Sequence, residues 1–223
     1  MKWLLSTIAA LVLFTAPAQA ALVTRPLGSK PLSDAAAAKL VKRSSFEPRP
    51  ENRKALRRTP TDTELGRFRK ESEMPYKRSV TGRYRGTTDE VIQWAARKWG
   101  FDPDLLRAVA VVESWWRMST VGDNGDSFGL FQMRRPFHCC LPFMAKDAAF
   151  NADYYGGILR SYYDGKQAWL NTAERGKRYE AGDLWGSVGA WFSGRWWINV
   201  DDYIQKVRAA LREKTWRTSA FKG

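Results

Sequence analysis

From residue 87 onward the apolar positions recur at three- and four-residue spacing, and five segments keep that period well enough to predict helices. Thr87-Thr88-Asp89-Glu90 reads as a capping box ahead of Val91, Ile92, Trp94, Ala95 and Trp99, with Gly100 as the closing residue. Asp102 as N-cap and Pro103 at the first helical position open a second helix. Its stripe of Leu105, Leu106, Ala108, Val109 and Val112 runs up to Glu113. A third helix spans Ala148 to Tyr163, a fourth Leu184 to Phe192, and the last runs from about Val200 to Thr215 with Asn199 as its opener. No segment alternates like a strand for more than a few residues, and no internal repeat is visible. The pattern therefore predicts an all-α domain over residues 87–223.

The chain ahead of that domain has a different texture. Lys2, an apolar run from Trp3 to Phe14, and Ala16-Pro17-Ala18-Gln19-Ala20 predict a secretory signal peptide over residues 1–20. The run is shorter than the roughly 20 residues of a membrane-spanning helix, and no cysteine follows it to carry a lipid. The product is expected to be exported, to the periplasm or to the outside and the cell wall. Residues 21–86 are rich in Arg, Lys, Pro, Ser and Thr, as in Arg57-Arg58-Thr59-Pro60 and Lys77-Arg78-Ser79. One short helical patch, Ala35 to Val41, interrupts what is otherwise expected to be a flexible, largely disordered basic linker.

Charge and composition sharpen this division. The formal net charge is +14, and residues 21–86 hold 17 Lys and Arg against 7 Asp and Glu. Such a segment suits an anionic envelope polymer or a membrane surface. Nucleic acid is not expected as a partner, because the product is exported and the segment lacks interleaved aromatic rings for base stacking. Ten of the 11 tryptophans fall between Trp94 and Trp216, so only the later part is expected to build a sizeable core. Cys139 and Cys140 are adjacent and are the only cysteines, which leaves a strained vicinal bridge, intermolecular pairing or buried thiols open. His138 is the only histidine, too few ligands for zinc, and the loop Asp123-Asn124-Gly125-Asp126 lacks the spacing and closing glutamate of a calcium loop. No metal or cofactor is expected.

Candidate chemistry centres on Glu113. It follows Ala110-Val111-Val112 and precedes Trp115-Trp116, so its carboxyl is expected in a poorly hydrated, aromatic-walled position that favours the protonated form. A carboxyl kept protonated near neutral pH can donate a proton. Several tryptophans sit among polar residues, notably Trp115-Trp116-Arg117 and Gly194-Arg195-Trp196-Trp197. Flat aromatic faces of this kind stack on the C–H faces of sugar rings, which points to a saccharide groove.

Glu113-Ser114, a glycine-rich loop, and Gly129-Leu130-Phe131-Gln132-Met133 together resemble the core of the lytic transglycosylases, goose-lysozyme-like domains marked by Glu-Ser and Gly-Leu-Met-Gln-Ile. Asn151, opening a helix that ends near Leu159, is similar to that family's third motif. Val188-Gly189-Ala190-Trp191-Phe192-Ser193-Gly194 is similar to its Ala-Tyr-Asn-Ala-Gly turn. The resemblance covers about residues 87–215. It implies a lysozyme-like helical fold and cleavage of peptidoglycan glycan strands, with Glu113 as acid and then base. It also implies that Gly129, Gln132, Met133 and Trp191 line the cleft, with Ser114, Trp115, Trp116, Asp126, Ser127 and Trp196 as further candidate substrate contacts. Trp191 replaces the family's tyrosine, which predicts the loss of a hydroxyl beside the carboxyl, and Phe192 stands where Asn is common. Asp123 or Asp126 could instead position a water and make the reaction a hydrolysis, as in a goose-type lysozyme. A glycan-binding module without catalysis is the alternative from another class.

Overall fold

The computed structural model describes residues 22–222 apart from 140, 173, 174 and 176. The signal peptide expected over residues 1–20 thus lies outside the described residues. The centre of the molecule is built by α4 (Thr88–Trp99), α5 (Pro103–Ser114), α7 (Ala148–Tyr163), which the short α6 (Phe143–Lys146) precedes, α8 (Leu184–Ser193) and α9 (Asp201–Glu213). Helix α4 lies between α5 and α7, α5 packs along α9, and α8 bridges α7 and α9.

The local signals act as the sequence suggests. Thr87 and Glu90 form a reciprocal capping box, and Gly100 ends α4 in the left-handed region at φ 80°. The Asp102 side chain caps α5 by accepting from the Asp104 amide, with Pro103 at the first turn. Asp147 caps α7, whose residues are buried nearly all round. At α9 the expectation is corrected: Asn199 takes a left-handed φ of 56° and does not cap. Val200 occupies the cap position and the helix stops at Glu213.

The molecule is mostly helical, as expected, with one small addition. β1 (Val121–Gly122), β2 (Ser127–Phe128) and β3 (Met133–Arg134) form an antiparallel sheet in which Gly122 pairs with Ser127 and Phe128 with Met133. Strands of two residues cannot display an alternation, so the sequence pattern missed them.

The expected disordered linker is the main correction. Residues 22–86 pack against the helical centre and carry α1 (Asp34–Ala38), α2 (Arg53–Arg57) and α3 (Asp62–Glu71). Leu56, Leu65, Phe68, Met74, Val80 and Tyr84 all enter the common core. Phe68 meets Phe150 of α7 edge-on at 5.2 Å, and Tyr84 stacks on Trp94 of α4 at 5.3 Å. Polar docking does the rest. The Lys98 ammonium, buried in α4, lies 2.6 Å from Asp34 and 2.7 Å from Asp153. Asp153 also accepts the main-chain amides of Thr81 at 2.8 Å and Gly82 at 3.0 Å. A low apolar density suggested disorder, yet few apolar residues suffice where each one is placed against a preformed helix surface and the main chain is satisfied by buried side chains. Much of the basic excess stays in solvent, on Arg53, Lys54 and Arg57 of α2 and Arg69 and Lys70 of α3. Among the described residues no helix is long and apolar enough to cross a membrane.

Candidate active site

Glu113 sits in the last turn of α5, one residue before the helix gives way to Trp115 in the left-handed region at φ 55°. Its carboxyl faces α9 and α8. The Tyr203 hydroxyl, from α9, donates to Glu113 Oε1. The Trp191 indole of α8 supplies a further hydrogen bond. The residue keeps partial access to solvent while its carboxyl is enclosed by protein. Burial pushes the carboxyl from 4.5 up to about 7, against the lowering effect of the Tyr203 and Trp191 hydrogen bonds, and the negative charge of Asp123 adds a smaller upward push. The group is thus poised to exchange a proton near neutral pH.

Tyr203 corrects one expectation directly. Trp191 brings no hydroxyl to the carboxyl, and one is supplied by Tyr203 of a different helix. Tyr203 lies on the apolar stripe of α9 with Ile204 and Val207 and is buried, as a core residue would be. Its proximity to Glu113 is a product of α5–α9 packing, which no local motif records.

The loop of Gly129 to Met133 is held beside the end of α5 by side chains that bind its main chain. Ser114 Oγ donates to the Leu130 carbonyl at 2.8 Å, so the residue beside the acid ties the helix end to the loop. Buried Asn151 accepts from the Phe131 amide at 2.9 Å and donates to the carbonyls of Phe128 at 3.0 Å and Met144 at 2.9 Å. Gly129 has φ 80°, and a Cβ there would come within 2.6 Å of Asn151 Nδ2, so glycine is required on both counts. The Gln132 amide donates to the carbonyls of Thr120 and Gly129 at 3.1 and 2.9 Å. Ser127 and Met133 are buried, and Ser127 Oγ donates to Asp123 at 2.5 Å. These residues shape the floor beneath the acid.

An aromatic wall completes the site. Trp191 stacks on His138 with centroids 4.8 Å apart and meets the edge of Tyr155 at 5.0 Å. His138 Nδ1 lies 3.0 Å from the Tyr154 hydroxyl, and burial pushes the imidazole down to about 4, so it is neutral at neutral pH. Phe192 lies flat on Tyr203 at 4.5 Å and is 56% exposed, which makes it an open ring one layer away from Glu113. The sequence singled out His138 only as a poor metal ligand and Phe192 only as a departure from a motif.

Other expected cleft residues lie elsewhere. Trp116 and Trp196 are fully buried and belong to the core: Trp116 donates to the Arg107 carbonyl at 3.0 Å, and Trp196 meets Tyr179 edge-on at 4.7 Å. Two large rings in polar sequence surroundings were simply packing residues, so neither offers a face to a sugar. Trp115 is partly buried against Phe221 at 5.0 Å. Asp126 is turned to Arg135 at 2.5 Å, whereas the charge of Asp123 reaches the Glu113 carboxyl through its field. Cys139 is in a disulfide, and Cys140 lies outside the described residues. No group of three or more His, Cys, Asp or Glu side chains converges on a possible metal position among the described residues.

Comparison with protein-family models, with curated proteins and with solved structures gave no match. What the fold and the site define is a mostly helical protein in which the enclosed, elevated Glu113 carboxyl stands beside an aromatic wall.

Proposed function

We propose that the chain is an exported peptidoglycan lytic transglycosylase with a lysozyme-like helical domain. In this reading it cleaves the β-1,4 bond between N-acetylmuramic acid and N-acetylglucosamine. The observation that carries the reading is Glu113: a carboxyl raised to about 7, held by Tyr203 and Trp191, next to the serine that ties α5 to the Gly129–Met133 loop.

The reaction needs one such group. Protonated Glu113 gives its proton to the glycosidic oxygen as the bond from that oxygen to the muramoyl C1 breaks. The carbonyl oxygen of the substrate's own acetamido group shares the positive charge left on C1. The Glu113 carboxylate then takes the proton of the muramoyl 6-hydroxyl, whose oxygen bonds to C1 and closes a 1,6-anhydro ring. Glu113 ends protonated and no water is consumed. Glycosidases that work through a carboxylate pair need the second group about 5 to 9.5 Å away. Asp126 is engaged by Arg135, which favours the single-carboxyl route.

The influence of Asp123 on Glu113 favours one second reading, hydrolysis of the same bond with Asp123 placing the water. Mass analysis of soluble products from purified sacculi separates the two. Anhydro-muropeptides, lighter by one water, are the expected result, and reducing-end products alone would replace transglycosylation with hydrolysis. Retention on sacculi with no soluble product would leave a binding module. The exposed cations of α2 and α3 are proposed to hold the enzyme against anionic envelope polymer.

A further inference from the structure

Helix α5 ends in an unusual way. Trp115 and Trp116 both take left-handed backbone angles, at φ 55° and 61°, immediately after Glu113-Ser114. For a bulky side chain that conformation costs about 1–2 kcal/mol per residue, so it persists only where its surroundings enforce it. The enforcement comes from the N-terminal segment. Arg49 Nε donates to the Trp115 carbonyl at 2.9 Å. Asn52 Nδ2 donates to the Trp116 carbonyl at 2.7 Å, and Asn52 Oδ1 accepts from the Met118 amide at 2.8 Å.

Both side chains are built into place. Arg49 is 4% exposed and Asn52 1% exposed. The remaining Arg49 nitrogens donate to the carbonyls of Pro48 at 2.8 Å and Phe221 at 2.7 Å, and the guanidinium lies 4.3 Å from the Phe221 ring centroid. Trp115 and Trp116 contact that same ring at 5.0 and 5.1 Å. Asn52 Nδ2 also reaches Thr88 Oγ1, 2.9 Å away at the start of α4, and Glu47 accepts from the Thr88 amide at 2.6 Å. A buried guanidinium is costly unless its donors are used, and here they join three separate stretches of main chain at the turn that follows Glu113.

We propose that Arg49 and Asn52 are positioning residues for Glu113: they fix the double left-handed turn and thereby aim the carboxyl at Tyr203 and Trp191. An apolar filler would occupy the space but would leave one carbonyl of the turn without its donor, that of Trp115 at position 49 and that of Trp116 at position 52, where the Met118 amide would also lose its acceptor. Relaxation of Trp115 toward ordinary angles would carry the last turn of α5 with it and admit water to the carboxyl. Residues 22–86 thus do more than tether the domain, since two of them complete the geometry of its proton donor. The inference rests on the proposed role of Glu113 for its kinetic consequence alone.

The test compares Arg49→Lys, which keeps the charge and loses the fork, and Asn52→Leu, which keeps the volume and loses every hydrogen bond. The control is Phe68→Leu, which weakens the same segment away from the turn. The first readout is the Glu113 carboxyl titration, followed by carbon NMR with glutamate labelled at the carboxyl and assigned by its loss in Glu113→Gln. The groups facing Glu113 that titrate or carry charge are Tyr203, Tyr155 and Asp123, and none of the substitutions alters them. A drop of about one pKa unit is expected in Asn52→Leu and a smaller drop in Arg49→Lys, with none in the control. If Asn52→Leu fails to fold, Arg49→Lys carries the test. Unchanged titration in the folded variants overturns the inference, and so does an equal shift in Phe68→Leu. The second readout is the pH at which kcat on sacculi falls by half, expected to move down with the titration. A shifted titration in a protein that releases no product would sink the transglycosylase reading and leave the positioning role standing. Normal activity with an unshifted titration would do the reverse.

Discussion

Residues 22–86 and residues 87–222 fold into one core by different means. The later part is held by repeated apolar spacing: α5 against α9 and α4 against α7 bury continuous stripes. The earlier part is held by single anchors such as Phe68 and Tyr84, and by polar side chains that dock on the surface of the other part. Asp34 on Lys98, Arg49 on the Trp115 carbonyl, Asn52 on the Trp116 carbonyl and Tyr76 on Asp164 are of this kind. A segment with little apolar period can therefore be fully ordered when a preformed partner supplies its hydrogen bonds. It also cannot be treated as a tether, because two of its side chains meet the turn that ends the Glu113 helix.

The largest expected effect places the chemistry in the later part. Glu113→Gln keeps the shape of the side chain and removes its proton. Release of soluble muropeptides is expected to fall by about 10²–10⁴-fold while thermal unfolding still shows a folded protein. Activity near that of the unaltered chain would remove the proton donor from the later part and with it the proposed reaction.

The next effect tests the earlier part. Phe68→Ala deletes a fully buried ring that meets Phe150 and Tyr154, and a loss of about 3–5 kcal/mol in unfolding free energy by denaturant titration is expected. Arg53→Ala, on the exposed face of α2, is expected within about 0.5 kcal/mol of the unaltered protein. A Phe68→Ala cost as small as that of Arg53→Ala would restore the picture of a solvated linker.

These contrasts explain what the sequence disclosed. Helices α4, α5, α7 and α8 were legible because capping residues and apolar period agree, from Thr87 and Glu90 through Asp102 and Pro103. Glu113 and the Gly129–Met133 loop were legible because they are contiguous in sequence. Tyr203 was not, since its distance of 90 residues from Glu113 is closed only by helix packing. Trp116 and Trp196 misled because a tryptophan flanked by polar residues reads the same whether its ring faces solvent or the core. Arg49 and Asn52 were hidden for a related reason: both satisfy main-chain carbonyls, and a carbonyl in need of a donor leaves no trace in the residue that bears it.

A smaller effect joins site and stability. Glu113 has a folded pKa of about 7 against 4.5, so the folded state holds more protons than the unfolded state between those values. Stability from this group is present at low pH and is lost as pH rises from about 4.5 through 7. Asp147, raised to about 7 by burial, acts in the same direction. His138, lowered to about 4 by burial, acts oppositely and removes stability as pH falls below 6.5. Glu113→Gln removes only the first contribution. Its unfolding free energy from denaturant titration, and with it the midpoint, is expected to exceed that of the unaltered protein at pH 8, by about 1–3 kcal/mol, with little difference at pH 4.5. Equal midpoints at both values would mean that the carboxyl is better hydrated than its enclosure implies.

The smallest expected effect is the most specific to the site. The Tyr203 hydroxyl donates to Glu113 Oε1 and so favours the carboxylate. Tyr203→Phe removes that donor and keeps the ring beneath Phe192, so the Glu113 pKa is expected to rise further, by up to about one unit. The descending limb of the pH–rate profile should move up by the same amount. The plateau rate should fall by about 3–10-fold, because the second step needs the carboxylate as a base and the donor that steadied it is gone. The ring stack on Phe192 is retained, so unfolding should change by no more than about 1.5 kcal/mol, the net worth of one hydrogen bond. Phe68→Ala should show the opposite signature, a large loss of stability with the limb unmoved. If Tyr203→Phe moved the limb downward, water would be reaching the carboxyl in its place, and the enclosure of Glu113 would depend on the hydroxyl as well as on the packing of α5 against α9.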